Sequence, residues 1–119
     1  MNDGRIDQLE VRGGLLLPGK TISSNYTLLP EDNGATILFD SPNPIVITVS
    51  VGLVTGGHSF VCNFQHKGAG TVQFVGSSGI TIANKNGFFY TNGQGSGNSI
   101  MSADGTYFTL GGDLSSTSL

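Results

Sequence analysis

Short runs in which every second residue is apolar, each cut off by a cluster of Gly, Pro, Asn or Asp, constrain this chain more than any other feature. Successive side chains of a strand point to opposite faces, so runs of this kind fit half-buried strands and not helices. The clearest has Ile45, Ile47, Val49 and Val51 alternating with Val46, Thr48 and Ser50, between Ser41-Pro42-Asn43-Pro44 and Gly56-Gly57. The same period puts Ile22, Tyr26 and Leu28 on one face of a run that ends at Pro30-Glu31-Asp32-Asn33-Gly34. Ala35, Ile37 and Phe39 share a face in the next run, and Phe60, Cys62 and Phe64 share one between His58 and His66. Val72 with Phe74, and Ile80 with Ile82, follow glycine-rich turns, and Phe88-Phe89-Tyr90 follows Asn84-Lys85-Asn86-Gly87. Asp104-Gly105 suits a two-residue type I′ turn, which sets Met101 opposite Phe108 and Ser102 opposite Tyr107. The expected fold is all-β: an antiparallel β-sandwich or jelly roll of about eight short strands with an N-terminal arm. No repeat of roughly 20–50 residues is evident, which argues against a solenoid. Arg5 to Arg12, with Ile6 and Leu9 three apart, is the one helical candidate, and Gly13-Gly14 stops it.

Charge divides the chain. Charged residues make up 11% of 119 residues, under half the usual ~25%. Residues 1–20 hold Asp3, Arg5, Asp7, Glu10, Arg12 and Lys20, whereas the rest holds only Glu31, Asp32, Asp40, Lys67, Lys85, Asp104 and Asp113. The expected organisation is an arm over 1–20, a nearly uncharged β body over 21–114, and a flexible polar tail over 115–119. Five cations against eight carboxylates argue against a nucleic-acid partner. No apolar run approaches the ~18 residues of a membrane span, and the first twenty residues lack the basic start and long apolar stretch of a signal peptide. The body's scarcity of charge leaves few residues to guard sheet edges, so a closed assembly of several copies is expected to cover them.

Residues able to carry chemistry are few and scattered. His58 and His66 stand on one face at the two ends of one expected strand, roughly 26 Å apart at ~3.3 Å per residue, too far to share a metal ion within one protomer. Pairing across a symmetry axis is the alternative to plain strand-end residues. Cys62 falls on the inward face and reads as a buried structural thiol. Glu31-Asp32 reads as solvated turn chemistry. The segment with Asn84, Asn86, Asn92, Asn98, Gly93, Gly95 and Gly97 reads as a mobile polar loop. Gly95-Ser96-Gly97 lacks the strand and helix of a nucleophile elbow, and Asn25-Tyr26-Thr27 is a glycosylation triplet without a secretory signal. The expectation is no enzyme, no cofactor and no metal.

Three stretches together carry a resemblance. They are Thr21 to Leu28 with Asp32-Asn33-Gly34 and Ile45 to Val49; Gln65 to Val72 with Gly76 to Ile82; and Tyr107 to Leu114. Over residues 21–114 the pattern resembles a β-sandwich module of tailed-bacteriophage virion proteins, found in capsid decoration (cement) proteins and in tail-fibre and head-fibre proteins. It has Val51-Gly52 where that family often closes the strand with proline, and Tyr107 where tryptophan is common. The resemblance implies a structural protein, often a homotrimer, seated on the outer surface of a phage shell and bound to the major capsid protein. It would be assembled in the host cytoplasm and would strengthen the shell. The arm residues Arg5, Ile6, Leu9, Val11, Arg12, Leu15, Leu16 and Leu17 are the expected contacts with the capsid or between protomers; the alternative is an added edge strand on the chain's own sheet. A tail-fibre or receptor-binding module that recognises host glycans, with Tyr26, Tyr90 or Tyr107 as stacking platforms, is the second expectation.

Overall fold

The computed structural model describes residues 17–116. Within them the chain forms eleven strands: β1 (Gly19–Ile22), β2 (Tyr26–Thr27), β3 (Thr36–Phe39), β4 (Ile45–Val49), β5 (Phe60–His66), β6 (Val72–Gly76), β7 (Thr81–Ala83), β8 (Tyr90–Thr91), β9 (Gly97–Ser102), β10 (Tyr107–Gly112) and β11 (Leu114–Ser115). A 3-10 turn, Pro30–Asp32, stands between β2 and β3. One sheet has the order β1-β3-β5-β9-β10-β7 and the other β11-β8-β6-β4-β2. The all-β sandwich that the alternation calls for is present.

The apolar phase of each run is the phase that faces the interior. Ile37, Phe39, Phe60, Cys62, Phe64, Ile100, Phe108 and Leu110 line one sheet, and Ile45, Ile47, Val49, Val72 and Phe74 line the other. Each such side chain stabilises the fold by about 1.5–3 kcal/mol on full burial. Phe39, Phe64 and Phe74 join the layers, with ring centroids 5.0 to 6.1 Å apart. Val51 lies past the end of β4 and is exposed. The run expected over Ile22 to Leu28 breaks at Ser23–Asn25, and its halves, β1 and β2, belong to different sheets.

Strand direction departs from the expectation. Five of the nine pairings are parallel: β1 with β3, β3 with β5, β2 with β4, β4 with β6, and β7 with β10. The first six strands alternate between the sheets and pair in succession within each, β1-β3-β5 and β2-β4-β6, so the chain winds as a flattened coil. This is the solenoid-like path that the missing repeat argued against. Gly19 pairs with Thr36 and Thr36 with Asn63, so successive windings take 17 and then 27 residues. Windings of unequal length leave no fixed period to detect. The antiparallel expectation, jelly roll included, therefore holds only for the C-terminal part, where β9 pairs with β5 and β10, and β8 with β6 and β11.

The corners of the coil stack closely. Gly68 N–H donates to the Phe39 carbonyl and Gly70 N–H to that of Ser41. A Cβ on Gly70 would lie 2.0 Å from the Asn43 oxygen, and one on Gly68 2.3 Å from the Ser41 nitrogen. Only glycine admits so close a backbone approach.

The hairpin at Asp104-Gly105 forms with a register one residue away from the expected one. Met101 pairs with Thr109 and Ile100 with Leu110. Asp104 Oδ1 accepts the Thr106 and Tyr107 N–H groups, and Ser102 Oγ accepts that of Gly105. These bonds build a four-residue connection over 103–106. The expected register would have set exposed Met101 opposite fully buried Phe108, whereas directly opposed residues share a face.

Candidate functional site

Residues 1–16, and with them the helical candidate and the expected contacts Arg5, Ile6, Leu9, Val11, Arg12, Leu15 and Leu16, lie outside the described residues. Leu17 is described and is 56% exposed. Gly19 and Lys20, assigned by charge to the arm, are part of β1, and Ser115, assigned to the tail, pairs with Tyr90.

Two polar clusters stand out. In the first, Asp32 is buried and gathers three donors. Its Oδ1 accepts from Lys20 Nζ at 2.7 Å, and its Oδ2 accepts from Tyr26 OH at 2.7 Å and from the Leu29 N–H at 2.8 Å. Lys20 Nζ also donates to Tyr26 OH at 2.7 Å and reaches Glu31 Oε2 at 3.5 Å. The hydrogen bond to Asp32, then that to Tyr26, raises the Lys20 ammonium above its ordinary value, and burial raises Tyr26. Alternation predicts the inward phase of β1 and β2, but no local pattern shows that three turns of chain converge there. Of the Glu31-Asp32 pair only Glu31 is solvated; Asp32 is an internal ligand for its neighbours. Tyr26 is held by this cluster and is withdrawn from any role as a stacking platform.

The second cluster joins the layers. His66 ends β5 in an inward row with Ile22 and Phe39 and is 4% exposed. Its Nε2 donates to the Gly70 carbonyl at 2.8 Å, and its Nδ1 accepts from the Thr91 hydroxyl of β8. Outside it opens a groove of about 400 Å³ lined by Leu38, Gln65, His66, Lys67 and Gly95 to Gly97. His58 is exposed in the turn before β5, so only His66 of the two histidines stands at an end of that strand. Cys62 is fully buried, and burial foremost pushes its thiol up to about 12. That is the opposite of what a nucleophile needs. Among the described residues no three His, Cys, Asp or Glu side chains come together to hold a metal ion, and no helix is long and apolar enough to cross a membrane.

The Asn- and Gly-rich segment is not one loop. Asn84 pins a turn by accepting the Asn86 and Phe88 N–H groups and donating to the Leu110 carbonyl. Gly97 and Asn98 open the central strand β9, where the Asn98 amide donates to the Asp113 carbonyl.

The most extended feature is a surface. Of the eight charged residues in 17–116, Lys20 alone lies in a strand, and it points inward to Asp32. The outward rows of the six-stranded sheet are Gly19, Thr21; Thr36, Leu38; Val61, Asn63, Gln65; Gly97, Ser99, Met101; Tyr107, Thr109, Gly111; and Thr81, Ala83. Those of the other sheet are Thr27, Val46, Thr48, Gln73, Val75, Tyr90 and Ser115. Among the described residues neither face carries a charge; apart from inward Lys20 and buried Asp32, the charges lie in turns and connections. No protein-family model, curated protein or solved structure matches the chain.

Proposed function

We propose that this is a structural assembly protein that works by surface contact and not by catalysis. Specifically, it is a capsid decoration protein that binds the outside of a phage shell, contacts the major capsid protein and reinforces the shell. One observation carries the assembly role: two sheet faces free of charge, with every outward strand position apolar or neutral-polar. Isolated soluble domains ordinarily place charge on solvent-facing strands and edges. A rigid sandwich with neutral faces suits burial against neighbours, where an unpaired charge would cost several kcal/mol. The virion assignment rests on the sequence resemblance over residues 21–114.

Immunogold labelling of purified virions with an antibody to this chain tests the assignment. Label distributed over the shell is the expected result, and virions without shell label refute it. The glycan-recognition alternative draws on Tyr107, which is 55% exposed on a neutral face. It requires label confined to the tail together with binding of this chain to a host glycan.

A further inference from the structure

The neutral faces are not equivalent. Met101 of β9 pairs with Val61 of β5 on one side and Thr109 of β10 on the other, and Thr109 pairs with Ala83 of β7. Beyond Val61 the row continues to Gly34, whose N–H donates to the Val61 carbonyl. A Cβ on Gly34 would lie 3.8 Å from the Leu17 side chain. An uncharged row therefore crosses the whole six-stranded sheet: Leu17, Gly34, Val61, Met101, Thr109, Ala83. Leu17, Val61 and Met101 are 56%, 39% and 50% exposed, and Tyr107, two residues from Thr109 on the same face, is 55% exposed. Four of the six large hydrophobic side chains exposed among the described residues thus gather at one end of one face.

We infer that this face, centred on Val61 and Met101, is where a second copy of this chain docks. The inference rests on the assembly role proposed above and names the partner of that surface. Two properties select a second copy. Around a symmetry axis identical residues approach one another, so a charge there meets its own sign unless a paired opposite charge is built beside it; a face with no charge among the described residues meets that condition. Area is the other. At ~3.3 Å per residue and ~4.8 Å per strand, the six strands project about 480 Å² before side-chain relief and bordering loops are added. A standard interface takes about 800 Å² from each partner. The face therefore supplies most of one interface and is too small to serve two partners.

Sedimentation of the purified full chain over 1–100 µM tests this. The expected result is a mass at least twice 12.3 kDa, a loss of at least 100-fold in self-affinity for Met101→Lys, and no change for Thr48→Lys on the opposite sheet. Far-UV circular dichroism and a thermal melt establish that each variant is folded. Hydroxyl-radical footprinting of the unmodified chain needs no variant: Met101 oxidation is expected to fall as concentration rises. A 12.3 kDa particle at 100 µM, a Met101→Lys chain that associates like the parent, or concentration-independent oxidation of Met101 overturns the inference. These readouts use purified protein alone, so they can fail while shell labelling succeeds, and the reverse.

Discussion

Replacing Asp32 with Asn tests how the first winding of the coil is held. The carboxylate is 1% exposed and receives three hydrogen bonds of 2.7 to 2.8 Å, one from a cation. Asn has one acceptor oxygen. Set at the Oδ2 position, it keeps the Leu29 N–H and Tyr26 OH bonds, and its NH2 group then faces the Lys20 ammonium, donor against donor. The opposite rotamer keeps Lys20 and sets the NH2 group against the Leu29 N–H. Breaking one partner of a buried pair costs about 3–5 kcal/mol. Water reaches Lys20, whose side chain is 30% exposed, so the lower end applies and the expected loss is about 3 kcal/mol. Lys20→Met alone should cost a similar ~3 kcal/mol, because it leaves the buried Asp32 carboxylate without its cation. In the Asp32→Asn background Lys20→Met should cost nothing or restore stability, a coupling of about 3 kcal/mol. Urea titrations followed by far-UV circular dichroism measure all four proteins. A loss under 0.5 kcal/mol for Asp32→Asn, or additive single effects, refutes the clamp. The pH dependence gives a second check. Lys20 titrates higher in the fold than its ordinary 10.5, through Asp32 first, so the folded state holds its proton longer than the unfolded chain. Its contribution is complete below about pH 10.5 and is lost as pH rises toward the folded value. Tyr26, raised by burial, acts in the same direction. The alkaline decline should flatten in Asp32→Asn.

Gly70→Ala should cost about 3 kcal/mol in the same titration, the upper end for overpacking, because the obstructing atoms are the Asn43 backbone, 2.0 Å from a Cβ; Gly87→Ala, with open space but a φ of 73°, should cost only about 1 kcal/mol. Thr91→Val should remove the donor to His66 Nδ1 and cost about 1–2 kcal/mol, with imidazole shifts in NMR spectra reporting the lost bond. Cys62, its thiol pushed up to about 12, should resist DTNB at pH 8 until the chain unfolds, and a fast reaction of native protein would refute its burial. Asp104, lowered by the Tyr107 and Thr106 N–H groups, stabilises its connection above the ordinary carboxylate value of 3.8, and that contribution should fade as pH falls further, absent in Asp104→Ala.

Period-two alternation was enough to place the core. Ile37, Phe39, Ile45, Ile47, Val49, Phe60, Phe64, Val72 and Phe74 all face inward in the phase that the sequence sets, because face selection depends on strand geometry alone. Strand direction was not legible, since alternation is the same for both directions and the neighbour of each strand here is one winding away. The hairpin slipped by one residue because the Asp104 and Ser102 side chains build a longer connection than the dipeptide suggests. The burial of Asp32 and His66, read from the sequence as a solvated turn residue and a strand-end residue, was not legible for a different reason. A buried polar residue is identified by its partners, and Lys20, Tyr26, Gly70 and Thr91 join them only through the fold.

The opening charge pattern gains a physical meaning from the coil. Sheet edges normally carry Lys or Pro to deter pairing with other chains. Here the outward residues of the edge strands β1, β2, β7 and β11 are Gly19, Thr21, Thr27, Thr81, Ala83 and Ser115. The one lysine that stands in an edge strand, Lys20, is turned inward by Asp32. A coil sets each outward residue beside one on the adjacent winding, so an outward charge has an opposite partner only where that winding supplies one. Confining charges to the turns avoids that repulsion and keeps the rim soluble, and it leaves faces and edges neutral together. In the assembly proposed above, a neighbour would cover neutral faces and neutral edges together. Met101, half exposed in the uncharged row, is the position at which that proposed contact is tested.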